Sequence, residues 1–119
     1  MNARSIVLVI PMGALLLATA ASNPALASDR VLRAELVIDA PVQEVWDAWT
    51  TKAGLESFFT PRAEIDLRVV GTLDIWFDPT AEPGLRGAEG MRILDVDPLR
   101  RFAFTWNAPP SIPAIRNRW

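Results

Sequence analysis

The chain carries 14 Asp and Glu residues against 12 Lys and Arg, and has no histidine, cysteine or tyrosine. Any acid–base chemistry it performs must therefore run on carboxylates, amines and guanidinium groups, because the imidazole base and the phenol are missing, as are the thiol nucleophile and the usual transition-metal ligands. The tightest carboxylate group is Glu64, Asp66, Asp74 and Asp78, which alternation places on the outward face of neighbouring strands. Oxygen-rich clusters can bind calcium, but no loop shows the D-x-D-x-D-G spacing, and a solvated sheet face carries charge for solubility. The spacing predicts no metal site. Asp95 and Asp97 bracket a turn before Pro98 and read as turn formers rather than as a catalytic pair. A base poised near neutrality would have to be a desolvated carboxylate or Lys52, and Lys52 falls in a polar helix junction. Gly84, Gly87 and Gly90 are spaced G-x-x-G-x-x-G and precede a strand, so they read as turn glycines and not as a dinucleotide fingerprint. Arg100, Arg101, Arg116 and Arg118 read as solvated surface; the alternative is a small cationic patch for an anionic head group or a protein partner. No residue is marked as catalytic, and no cofactor is implied.

The elements that must position these groups follow from periodicity. "RVLRAELVID" alternates, with Leu32, Ala34, Leu36 and Ile38 on one face and Arg33 and Glu35 on the other, which predicts a half-buried first strand. In "IDAPVQEVWDAW", Pro41 suits a first helical position, so a helix is expected to start near Ala40. Its Val42, Val45, Trp46 and Trp49 keep the i, i+3, i+4, i+7 spacing of one apolar stripe. Two indoles on that stripe call for a large apolar partner. "TTKAGLESFF" predicts a second short helix ended by Pro61. "AEIDLR" and "TLDIWFD" alternate as two strands, "PTAEPGLRGAEG" is a Pro- and Gly-dense loop, and "MRILDVD" and "RFAFTWN" flank "PLR" as a hairpin. One sheet face then presents Ile65, Ile75, Phe77, Phe104 and Trp106 toward the tryptophan helix.

The first 27 residues have the three parts of a secretory leader: Arg4, an apolar run from Ile6 to Ala21, and small residues in "PALA" ahead of Ser28. That run is shorter than the roughly 20 residues that cross a bilayer, so no stable membrane span is expected. Residues 1–27 are thus expected to leave as a signal peptide, with 28–119 forming one small domain in the periplasm or outside the cell. The net charge of −2, more negative once Arg4 is gone, argues against nucleic acid or anionic lipid as a partner. Without cysteine, packing alone must hold an exported domain together.

The order of strand, "APVQEVWDAW", short helix, aromatic pair and a run of antiparallel strands ending in "DPLRRFAFTW" resembles the activator-of-Hsp90-ATPase homologue-like domains of the SRPBCC, or START and Bet v 1-like, superfamily. The resemblance runs from about Val31 to Trp119. Phe58 and Phe59 stand where the family has aromatic residues, whereas "VVG" at Val69 to Gly71 departs from a site where two glycines are common. The resemblance implies an α+β helix-grip fold with two short helices after the first strand, in which an apolar cavity between curved sheet and helix is the functional site. It assigns that cavity's lining to Trp49, Phe58, Ile65, Ile75, Phe77, Phe104 and Trp106, and implies a small hydrophobic molecule or lipid as partner. A protein-interaction module of co-chaperone type is the alternative. A chaperone-activating role sits poorly with export, because the ATP-driven partner is cytosolic. Family members continue into further strands and a long C-terminal helix, so the chain is expected to be a C-terminally truncated copy, with "AIRNRW" starting another strand. Fold analogy alone names no ligand.

Overall fold

The computed structural model describes residues 6–12 and 30–118. Its elements, in chain order, are β1 (Ile6–Met12), β2 (Arg30–Leu36), α1 (Val42–Thr50), α2 (Lys52–Phe58), β3 (Arg62–Ile65), β4 (Thr72–Trp76), β5 (Gly87–Asp97) and β6 (Arg101–Phe104). The last four form an antiparallel meander in the order β3-β4-β5-β6, and β1 pairs with β2 as a separate two-stranded ribbon. The fold is α+β, consistent with a helix grip. Apart from β1, the expected leader and its cleavage boundary at Ala27 lie outside the described residues.

The core is aliphatic and lies on one face of the meander. Cross-strand partners Ala63, Ile75 and Ala88 form one row, and Ile65, Leu73 and Met91 the next. With Ile93 and Leu55 of α2 they form a single cluster, and all but Ile65 are almost free of solvent. Two bulges let β5 keep this face dry. Leu73 pairs with Met91 but Ile75 with Ala88, so one extra residue enters β5 there, and Gly90 takes it up at φ 73°, a left-handed conformation that suits glycine. The Asp74 carboxylate accepts the Gly90 N–H at 2.6 Å. A second extra residue falls between Ile93 and Asp95, so Leu94 is exposed and Val96 rejoins the inward face opposite Phe102. β5 therefore begins at Gly87, inside the stretch whose composition predicted a loop.

Three other expectations need correcting. The first strand does not join the main sheet, and all seven residues of β2 are exposed; its apolar alternation faces an open cleft instead of a packed layer. Pro41 is the residue before the helix, with φ −57° and ψ 141°, and its carbonyl accepts the N–H groups of Glu44 and Val45. "AIRNRW" is no strand: residues 113–117 run in turns, with Asn117 at φ 59°. This last segment is latched to the sheet. Buried Asn107 donates to the Glu89 carbonyl at 2.7 Å and to Asn117 Oδ1 at 2.8 Å, and its Oδ1 accepts the Asn117 N–H at 2.9 Å.

The two helices meet through a close approach. A Cβ at Gly54 would stand 2.1 Å from the Asp47 carbonyl oxygen and 2.6 Å from Ala48 Cα, so only glycine lets α2 turn this tightly off α1. Thr51 caps α2, its hydroxyl accepting the Gly54 N–H at 2.9 Å. Leu55 is the residue that α2 buries.

Candidate functional site

Where α2 closes over aliphatic side chains, α1 meets that core through Trp49 and otherwise borders open space. Of its apolar stripe only Val45 is buried, while Val42, Trp46 and Trp49 are half-buried. The pair of tryptophans thus falls short of the deep packing that the stripe suggested, because α1 faces β2 and β6 across a gap. That gap is an apolar cleft of about 300 Å³, the lower end of the range usual for small-molecule sites. Its floor is Val45, Trp46 and Trp49 with Phe102 and Phe104 of β6; Ala34 and Leu36 of β2 stand opposite; and the β5–β6 turn contributes Leu99, Arg100 and Arg101 at the rim.

A chain of rings joins the cleft to the outer part of the same sheet face. Trp46 meets Phe102 edge-on at 6.4 Å, Phe102 meets Phe104 at 5.0 Å, and Phe104 meets Trp106 at 6.3 Å. Phe59 is the hub beyond, with Trp106 at 6.3 Å, Phe77 at 5.9 Å, Phe58 at 5.9 Å and Trp49 at 5.4 Å. Edge-to-face and offset pairs at such separations add about 0.5–1.5 kcal/mol each beyond the area they bury.

The seven residues expected to line a cavity divide three ways. Trp49 and Phe104 line the cleft. Ile75 is a buried core residue and Ile65 packs against that core. Phe58, Phe77 and Trp106 surround Phe59 with 55%, 50% and 43% of their surface exposed. Trp46 and Phe102 border the cleft as closely as Trp49 does, and the signal for both was on the page: the 3.6-residue stripe for Trp46 and the Phe102, Phe104, Trp106 alternation for Phe102. Arg100 and Arg101 were visible only as a charge run.

The polar groups with catalytic potential are each bound into the fold. Lys52 reaches Glu64 at 2.8 Å, Glu56 at 3.0 Å and the Ala63 carbonyl at 2.8 Å. Its hydrogen bonds to Glu64 and Glu56 raise its pKa, so it is held as a cation and is no base near neutrality. Glu56 accepts the Ala63 N–H at 3.0 Å, and that bond followed by the Lys52 bond lowers its pKa. Asp78 is lowered by the Thr80 hydroxyl and the Thr80 N–H. Asp66 pairs with Arg68 at 2.6 Å, and Asp95 pairs with Arg101. Among the described residues no carboxylate group is arranged to hold a metal ion. Arg116 is not surface, contrary to the reading of the arginine run: its side chain is 7% exposed and binds the carbonyls of Gly84, Gly87 and Ala108 and the Glu89 carboxylate. On the opposite face of the sheet Trp76 lies between the guanidinium groups of Arg62 and Arg86, 5.3 and 4.8 Å from its ring.

A short α+β domain with two helices set against a bulged antiparallel meander and an apolar cleft beside the first helix defines a sheet-and-helix domain of the Bet v 1-like class. Within it the chain belongs to the family described as Activator of Hsp90 ATPase homolog 1-like protein, whose model matches residues 39–116. The matched stretch runs from just before α1 to Arg116 of the latch and leaves β1 and β2 outside it. Searches of curated proteins and of solved structures returned no match. Among the described residues no helix is long and apolar enough to cross a membrane.

Proposed function

We propose that this chain is an exported START-like, helix-grip domain that holds a small apolar ligand in the cleft beside α1 and β6; β2 borders the same cleft, and its partner β1 lies in the stretch that export removes. One observation carries the reading: four aromatic rings, Trp46, Trp49, Phe102 and Phe104, border a 300 Å³ space whose lining is mostly apolar apart from Arg100 and Arg101. Rings left half-wet at a concave site lose free energy to water that an apolar guest would recover, at about 25 cal/mol per Å² covered. The site offers no nucleophile and no general base, so binding rather than turnover is its chemistry. Because Trp46 and Trp49 are in the wall, occupancy reads out in their emission. Titrating the exported product with decan-1-ol should shift tryptophan fluorescence saturably at micromolar concentration, and most of that shift should be lost in Trp46→Ala. Wild-type emission that stays unchanged up to the solubility limit sinks the reading. Export is checked by intact mass, which should show a periplasmic or secreted product beginning at Ser28; a cytosolic chain that keeps Met1 overturns it.

A second reading, a protein-interaction module, is favoured by a different observation. Phe58, Phe77 and Trp106 are exposed together around Phe59 on the outer part of the face, a contiguous aromatic surface of the kind that protein interfaces use. Loss of partner capture in Phe58→Ser/Phe77→Ser with decan-1-ol binding intact would support it.

A further inference from the structure

The proposed ligand can be given a chemical class from the cleft's charges. Its lining contains two charged residues, both cationic, Arg100 at the end of the β5–β6 turn and Arg101 at the start of β6, and no carboxylate. This stands against a chain whose net charge is −2. The two arginines are not equivalent. Arg101 is bound to Asp95, so its charge is met within the fold. Arg100 donates its backbone N–H to the Asp97 carbonyl at 3.0 Å, while its guanidinium forms no hydrogen bond or ion pair among the described residues.

The backbone of the turn departs from ordinary geometry at the same place. Leu99 has φ 63°, a left-handed conformation that is strained for a leucine, and its side chain also lines the cleft. Non-glycine residues held in that region concentrate at binding sites, where the surrounding structure keeps them in place. Here the turn brings an apolar side chain and an uncommitted guanidinium to one rim. A cation beside an apolar wall attracts an anion more strongly than it would in open water, and guanidinium suits the two oxygens of a carboxylate.

We propose that the ligand is a medium-chain amphiphile with a single anionic head group, its tail along Trp46 and Phe102 and its head at Arg100. This rests on the cleft-binding reading above. At ~30 Å³ for each water-sized group, a 300 Å³ space takes a tail of about ten heavy atoms.

The test compares decanoate, decan-1-ol and decyltrimethylammonium by calorimetry with the full chain and with Arg100→Gln, whose melting temperature should match the wild type because Arg100 is exposed. Decanoate should bind about 5- to 10-fold tighter than decan-1-ol, decyltrimethylammonium should bind weakest, and Arg100→Gln should erase the preference for decanoate over decan-1-ol. Raising the salt should shrink the gap. Equal binding of decanoate and decan-1-ol overturns the head-group assignment and leaves the cleft reading standing. A preference that survives in Arg100→Gln overturns the role of Arg100, and absence of binding by all three overturns both readings.

Discussion

The two helices lie over the same sheet and make different uses of it. Under α2 the contacts are aliphatic and closed: Leu55, Ala63, Leu73, Ile75, Met91 and Ile93 each expose 2% or less of their surface. Beside α1 they are aromatic and open, with Trp46, Trp49, Phe102 and Phe104 half-buried around a cleft. The difference lies in shape and in what stands behind each element. Aliphatic side chains interdigitate on a bulged sheet, whereas flat rings on a helix that faces β2 across a gap leave space between them. Stability should therefore concentrate under α2, and ligand response beside α1.

The strongest way to break that comparison is to cut into the closed side. Ile75→Ala should destabilise the domain by about 2–5 kcal/mol, read as a fall in denaturant midpoint at constant m-value, because a cavity remains in close-packed surroundings. Next comes the latch at the far edge of the sheet. Arg116→Met leaves Glu89 without its partner and three carbonyls without their donor, at about 3 kcal/mol. On the open side Trp46→Ala should cost only about 1–2 kcal/mol, since its ring is half-exposed, yet remove most of the ligand-induced fluorescence change. A Trp46 loss as large as that of Ile75 would show that the two sides do not differ.

A smaller effect has the opposite sign. Val70 is 65% exposed and sits at φ 62°, where a β-branched residue is a genuine outlier. Val70→Gly should raise stability by about 1 kcal/mol, a gain of a few degrees in melting temperature.

The smallest effect tests the α2 side through pH. Glu56 is held below its ordinary 4.5 by the Ala63 N–H and Lys52, so the unfolded chain binds protons first. Its contribution is present above about pH 4.5 and disappears as pH falls through the depressed folded value. Lys52 is raised above 10.5, and its contribution is present below that value and is lost as pH rises through the folded one. Glu56→Gln should flatten the acid limb of a melting-temperature profile and also weaken the alkaline limb, which the Lys52 bond to Glu64 then carries without Glu56.

The helices and hairpin were legible in the sequence because the 3.6- and 2-residue periods of "VQEVWDAW" and "RFAF" hold without interruption. β5 was legible only in part: two bulges break its alternation, so Gly87–Gly90 reads as loop and Asp95 falls where a simple strand would put an inward residue. The departure at "VVG" was visible in advance, and its consequence is the left-handed Val70. Of the site, the aromatic types were legible but their grouping was not. Which rings share the cleft depends on β2 standing apart from the meander, and that is a tertiary choice no local pattern encodes. Arg116 misled for a related reason. A guanidinium in a charge run looks solvated until three backbone carbonyls are brought around it.

The return of Arg116 to Gly84 joins positions 32 residues apart and encloses the whole β5–β6 hairpin in one loop. Closing a loop of that length is slow entropy-limited work, so the clasp forms after the hairpin it surrounds. In reverse it opens first, as a sub-global unit held by polar contacts and not by core burial. Amide-exchange measurements should therefore show the Asn117 N–H exchanging well ahead of the protons on β4 and the middle of β5. The same opening releases the loop that precedes β5 while the rows Ala63–Ile75–Ala88 and Ile65–Leu73–Met91 stay shut.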